Sequence, residues 1–200
     1  MLMTEAVNEV LSITKRPDKR VEIISNINKA MSFFTMKADF SRDMLELSVP
    51  IAANSYGESI DLTDPLLGFV RFRKIKFVKP RSQRYYLTQI DPTDVFTPGG
   101  TVQTNRFYVA GQSLTYTLSI CDSFLEVGYY QYAPILSETT GADAHWMLDL
   151  IPWAITERAA AQIFKSIGDD TSARFYENSS MEMFLTARRD FADQVANDAT

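Results

Sequence analysis

Residues 106–132 read RFYVAGQSLTYTLSICDSFLEVGYYQY, and the period of this run decides the fold. Arg106 to Ala110 is an extended run that meets a turn pair, Gly111-Gln112. Leu114, Tyr116, Leu118 and Ile120 then alternate with Thr115, Thr117 and Ser119, the period of two that gives a strand one packed face and one polar face. Asp122-Ser123 reads as a second turn, and Phe124 to Tyr132 as a third extended run rich in aromatic residues. The expectation is a three-stranded antiparallel meander.

Upstream, Leu45, Leu47 and Val49 alternate with Glu46 and Ser48 until Pro50 stops the pattern. Residues 50–59 read as a loop, because Asn54, Ser55 and Gly57 supply turn chemistry. Asp64-Pro65 starts a short helical turn, and a basic strand follows over Val70–Val78. A further turn region runs from Asp91 to Pro98-Gly99-Gly100.

On both sides of this segment the period is helical. Thr4 is a candidate cap for a first short helix through Leu11. After a break at Thr14 to Pro17, the residues Ile23, Ile24, Ile27, Ala30, Met31 and Phe34 form one apolar stripe, with Asp18 and Glu22 near the positive end of the helix. Beyond Pro134, Asp143 is placed to cap a helix with Trp146, Leu150 and Ile151. Pro152 sits at a kink or opens a new helix bearing Ile155, Ala159, Ile163 and Phe164. Gly168 then ends that helix and Asp169 or Asp170 caps the next, whose stripe is Tyr176, Ser180, Met183, Phe184, Ala187 and Phe191. Helices with a single apolar face must bury it, so the ends of the chain are expected to pack together. The predicted class is α+β: a helical bundle body formed by the N- and C-terminal helices (1–40 and 137–200), with an inserted antiparallel β lobe (41–136).

Composition narrows the function. The chain is 46% hydrophobic and 22% charged, ordinary for a globular protein and unlike a disordered or membrane-spanning one. The opening residues have no basic segment followed by an apolar stretch, so they do not read as a signal peptide and cytoplasmic synthesis is expected. Cys121 is the single cysteine, which rules out an intramolecular disulfide and a cysteine metal cluster.

Catalytic constellations are hard to assemble. His145 is the single histidine and stands beside Trp146 near a helix start, a structural position more than a catalytic one. Cys121 reads as a small apolar residue. Asp43, Glu46, Asp61, Asp64, Asp91 and Asp94 could together serve a magnesium-dependent phosphoryl transfer, but they are scattered among turns, where aspartate binds its own backbone. No glycine-rich phosphate cradle is present. We expect no enzyme and no cofactor.

The charge distribution is more informative. Net charge is −5, yet Arg71, Arg73, Lys74, Lys76, Lys79, Arg81 and Arg84 fall within a stretch free of acids from Pro65 to Ile90. The rest of the chain is strongly acidic. With Phe72, Phe77, Tyr85 and Tyr86 interleaved, residues 71–86 have three readings, here in order of preference. They dock on the acidic surface of a second copy or a partner, they protect an edge strand, or they form a nucleic-acid-binding module that pairs phosphate contacts with stacking.

Three runs carry a resemblance: Val127-Gly-Tyr-Tyr-Gln-Tyr-Ala-Pro134, the segment from Trp146 through Pro152 to Arg158, and Ile163-Phe-Lys-Ser-Ile-Gly-Asp-Asp170. With Ile27-Asn-Lys-Ala30 they resemble the head-to-tail adaptor (head-completion or neck, tail-tubular-A-like) proteins of short-tailed bacteriophages. The resemblance implies a structural virion protein, made and assembled in the bacterial host cytoplasm. It would form a homo-oligomeric ring, commonly dodecameric, between the portal protein and a tail nozzle or tail-tube protein. Double-stranded DNA would pass through without sequence-specific binding, and no membrane is involved. Portal-facing candidates are Arg188, Arg189, Phe191 and Val195, and the seven bases from Arg71 to Arg84 are candidates for inter-subunit or tail docking.

Overall fold

The computed structural model describes residues 1–95, 103–138 and 144–197. The protein is mixed α+β and divides into two compact units. One unit comprises Met1–Arg42 together with the chain from Ala133 onward; the other is Asp43–Tyr132.

The first unit is helical. Its helices are α1 (Met3–Thr14), α2 (Arg20–Lys37), α3 (Trp146–Leu150), α4 (Pro152–Ser166) and α5 (Asp170–Asn197). In α2 the expected stripe is the buried one, with Ile23, Ile27, Ala30, Met31 and Phe34 inside. It meets Val7 and Val10 of α1, Ile155 and Ile163 of α4, and Phe184 of α5 in one apolar cluster. Each fully buried aliphatic or aromatic side chain there contributes roughly 1.5–3 kcal/mol. Phe34 stacks on Phe184 with ring centroids 4.6 Å apart. The buried Ser180 hydroxyl donates to Ala154 O at 2.8 Å, tying α5 to α4.

The helix ends follow local chemistry, with two departures from expectation. Thr4 lies inside α1; Leu2 is the N-cap, and Glu5 reaches back to accept its N–H at 2.7 Å. Asp143 lies outside the described residues, and at α3 it is His145 Nδ1 that accepts the Met147 N–H at 3.4 Å. Pro152 opens α4, where its missing N–H costs nothing. Gly168 adopts the left-handed φ of 81°, and Asp169 caps α5 through Ser172 N at 3.0 Å.

The second unit is built around one strand. β1 (Met44–Asp61), β2 (Phe72–Pro80), β3 (Thr88–Gln89), β4 (Arg106–Ala110) and β5 (Ser113–Gln131) form a five-stranded sheet. β1 pairs antiparallel along one edge of β5. Its other edge is shared: β4 takes residues 113–117 and β2 takes residues 125–131. β3 adds to β4 in parallel. Val49, Leu114, Leu118, Leu125, Val127 and Tyr129 are among the side chains that fill the core.

Two expectations fail here. The meander is a β4–β5 hairpin, because β5 runs without a turn through Asp122-Ser123. Asp122 spends its acceptor capacity across the sheet, taking the Ser82 N–H and hydroxyl at 2.8 and 2.7 Å as well as Ser123 N at 2.7 Å. Residues 50–59 are strand instead of loop, since β1 continues past Pro50 with register irregularities between Pro50 and Gly57. The basic strand expected over 70–78 is present as Phe72–Pro80. The Pro98-Gly99-Gly100 turn lies outside the described residues.

Candidate functional site

The basic strand β2 is an edge strand whose regular alternation is broken twice, between Phe72 and Lys74 and between Ile75 and Phe77. Ile75, Val78 and Pro80 are buried, so both Lys76 and Phe77 fall off the core face. The Phe77 ring lies over Gly128 and meets Tyr86 edge-on, centroids 5.3 Å apart. Beside them is a groove of ≈ 410 Å³ lined by Lys76, Phe77, Tyr86, Leu87, Gln89 and Phe107. Leu87 and Phe107 are buried and make its floor, while Tyr86 is 62% exposed on its rim.

The seven bases do not act as one patch. Arg81 Nε lies 3.6 Å from Glu126 Oε1 and its guanidinium sits 5.2 Å from the Phe124 ring centroid. Glu126 also accepts the Ser48 hydroxyl at 3.0 Å. Lys79 is in register with Glu126, and Arg73 is folded over Tyr130 at 5.3 Å. Arg71 is exposed with a left-handed φ of 45°, its carbonyl taking the Tyr132 N–H at 2.9 Å. Lys74, Lys76 and Arg84 are exposed. Of these bases Lys76 lines the groove, and Glu126 offsets the charge of Arg81.

Between β1 and β2 the chain makes a pinned turn. Asp61 Oδ1 accepts Thr63 N and its hydroxyl at 2.8 and 2.6 Å, and Asp64 Oδ1 accepts Leu66 N at 2.8 Å. The Thr63 hydroxyl and N–H hold the Asp61 carboxyl below the usual carboxylate range. Leu66 and Val70 are left 91% and 53% exposed. The signal for this exposed residue is the apolar pair inside the Pro65-Leu66-Leu67-Gly68 turn.

The portal-facing candidates all lie on α5. Arg188 and Arg189 are exposed, while the side chains of Phe191 and Val195 lie outside the described residues. Just before them, Leu150, Trp153, Met183 and Ala187 are among the residues that line an open groove of ≈ 430 Å³.

The remaining candidates are placed separately. His145 is pushed down to about 4, chiefly by burial and against the charge of Asp149, so its imidazole is neutral and free to cap α3. Cys121 is half-buried in β5. Asp91 repeats the Asp61 turn with Thr93, at 2.9 and 2.6 Å. Among the described residues no three His, Cys, Asp or Glu side chains converge on a metal-sized site, and no helix is long and apolar enough to cross a membrane. No protein-family model matches this chain, and no curated protein matches it.

Proposed function

We propose that the protein is a ring-forming head-to-tail adaptor of a short-tailed phage, joining portal to tail and forming part of the DNA ejection channel. In this reading the helical unit is a bundle body and the strand unit an inserted β lobe. The portal docks beside Arg188 and Arg189, and the tail protein or a neighbouring copy meets the lobe. The observation that carries the reading is the exposure, on one small chain, of separate apolar patches bordered by charge. Leu66, Tyr86, Trp153 and Met183 stand 91%, 62%, 51% and 38% exposed, with Tyr86 lining one groove and Trp153 and Met183 another. The −5 net charge suits a conduit from which DNA must slide freely. The test is to co-express the chain with the portal protein of the same genome, should that genome encode one, and image the complex. A ring seated on the portal is expected, and portal without a ring overturns the reading.

A second reading, a nucleic-acid-binding module on residues 71–86, rests on the exposed Tyr86 beside Lys76 and Arg84. Glu126 counts against it by occupying Arg81. Duplex affinity that falls steeply with salt, and drops when Arg73, Lys74 and Lys76 are replaced, would favour it.

A further inference from the structure

The turn at 61–70 is built as a rigid projection. Besides the two aspartate caps, Leu67 N donates to Asp64 O at 3.1 Å and Gly68 N to Pro65 O at 3.4 Å. Gly68 supplies the left-handed φ of 81° that closes the turn. The far end is held by Val70 N donating to the Tyr129 hydroxyl at 3.0 Å. Leu67 and Phe69 pack down on the strand core, the Phe69 ring 5.3 Å from Tyr129. Leu66 is thus held outward by hydrogen bonds that do nothing to bury it. An anchor already fixed loses little conformational freedom on binding.

The groove at Phe77 and Tyr86 is its complement in three respects. It is apolar where the turn is apolar, with Leu87 and Phe107 as floor. At ≈ 410 Å³ it falls in the range of about 300–1,000 Å³ in which compact apolar groups are held. Lys76 lines it and Arg84 stands two positions before Tyr86 in the chain, whereas Asp61 and Asp64 flank Leu66 in the turn. The turn and the groove are formed by different residues, although Leu67 and Phe69 of the one and Leu87 and Phe107 of the other pack on the same strand core.

We infer that the Asp61–Val70 turn of one copy seats Leu66 in the Phe77–Tyr86–Phe107 groove of the next, with Asp61 and Asp64 meeting Lys76 and Arg84. The contact uses two different patches, so it is heterologous and propagates from copy to copy until rotation closes it. This rests on the adaptor reading for its biological setting, but the contact itself is a property of the chain alone.

Disulfide trapping of the full chain tests it, in a Cys121→Ser background with folding checked by circular dichroism. Leu66→Cys and Gln89→Cys place thiols on projection and groove. On oxidation at high protein concentration the double variant should give a ladder of trimers and larger species. An equal mixture of the two single variants should stop at dimers. Adding Lys76→Glu should cut the ladder yield about tenfold, the loss expected for an interface charge pair worth about 1.4 kcal/mol. Single variants that cross-link alone as efficiently as the mixture, or no ladder at any concentration, overturn the inference. A ladder without a ring on the portal keeps the contact and removes the adaptor reading; a ring without the ladder does the reverse.

Discussion

The ring of Phe77 is packed against the backbone of Gly128, so that a Cβ at position 128 would lie 2.3 Å from Phe77 Cε1. Glycine is required there because a half-buried aromatic ring from β2 occupies the space. Gly128→Ala should cost about 1–3 kcal/mol through overpacking. Phe77→Ala in the same chain should recover most of that loss. Denaturant unfolding of both single variants and the double variant measures the coupling; additive losses would mean the ring swings away freely.

His145 makes stability depend on pH. Its folded pKa of about 4 lies below the ordinary value of 6.5 because burial disfavours the imidazolium. The unfolded chain therefore binds the proton first, and the contribution of neutral His145 is complete above about 6.5 and lost as pH falls toward 4. His145→Asn keeps an acceptor for Met147 N and should flatten the acid limb of a stability-against-pH curve. As the sole histidine, it gives one imidazole signal, whose NMR titration reads the pKa directly.

Asn28 stitches α2 to the segment that follows Tyr132. It accepts Leu136 N at 2.8 Å and donates to Leu136 O at 3.0 Å, while Leu136 itself is buried. Replacing Asn28 by alanine leaves both backbone groups of Leu136 unsatisfied and should destabilise the helical unit by about 2 kcal/mol or more. Asn28→Asp keeps the acceptor but loses the donor, and should fall between. Thermal unfolding followed by circular dichroism ranks the three chains.

The guanidinium of Arg158 lies 3.5 Å from the centroid of Phe33, and burial pulls its pKa below the ordinary arginine value, opposed by the charge of Glu177. Arg158→Met keeps much of the apolar stem but removes the cation. It should cost on the order of 0.5–2 kcal/mol, and Phe33→Leu should produce little further loss in the double variant.

Helices were legible where the signal is local. The Ile23 to Phe34 stripe, Pro152 at a helix start, and Gly168-Asp169 as stop and cap each depend on residues within a turn or two. The strands were legible as strands but not in their extent. Pro50 and Asp122-Ser123 carry turn chemistry, yet Asp122 finds its partner at Ser82, forty positions away, which no local rule anticipates. The cluster of seven bases was plain from counting. Its partition was not, because the Arg81–Glu126 pair and the Arg73–Tyr130 contact follow from the β2–β5 register and its two irregularities. The exposure of Leu66 is not legible locally, because it depends on the hydrogen bonds of Asp61, Asp64 and Tyr129 that hold the turn.

The two units differ in how their residues are distributed along the chain. Everything from Asp43 to Tyr132 is contiguous, whereas the other unit waits for residues beyond Ala133. During synthesis the strand unit is complete before α4 leaves the ribosome, so it can fold while α1 and α2 still lack the surfaces that bury Ile23, Ile27 and Phe34. A chain truncated near residue 140 and released from the ribosome should yield a protease-resistant core from the middle of the chain with a cleavable N-terminal arm. That arm is the part of the nascent protein a chaperone would have to shield.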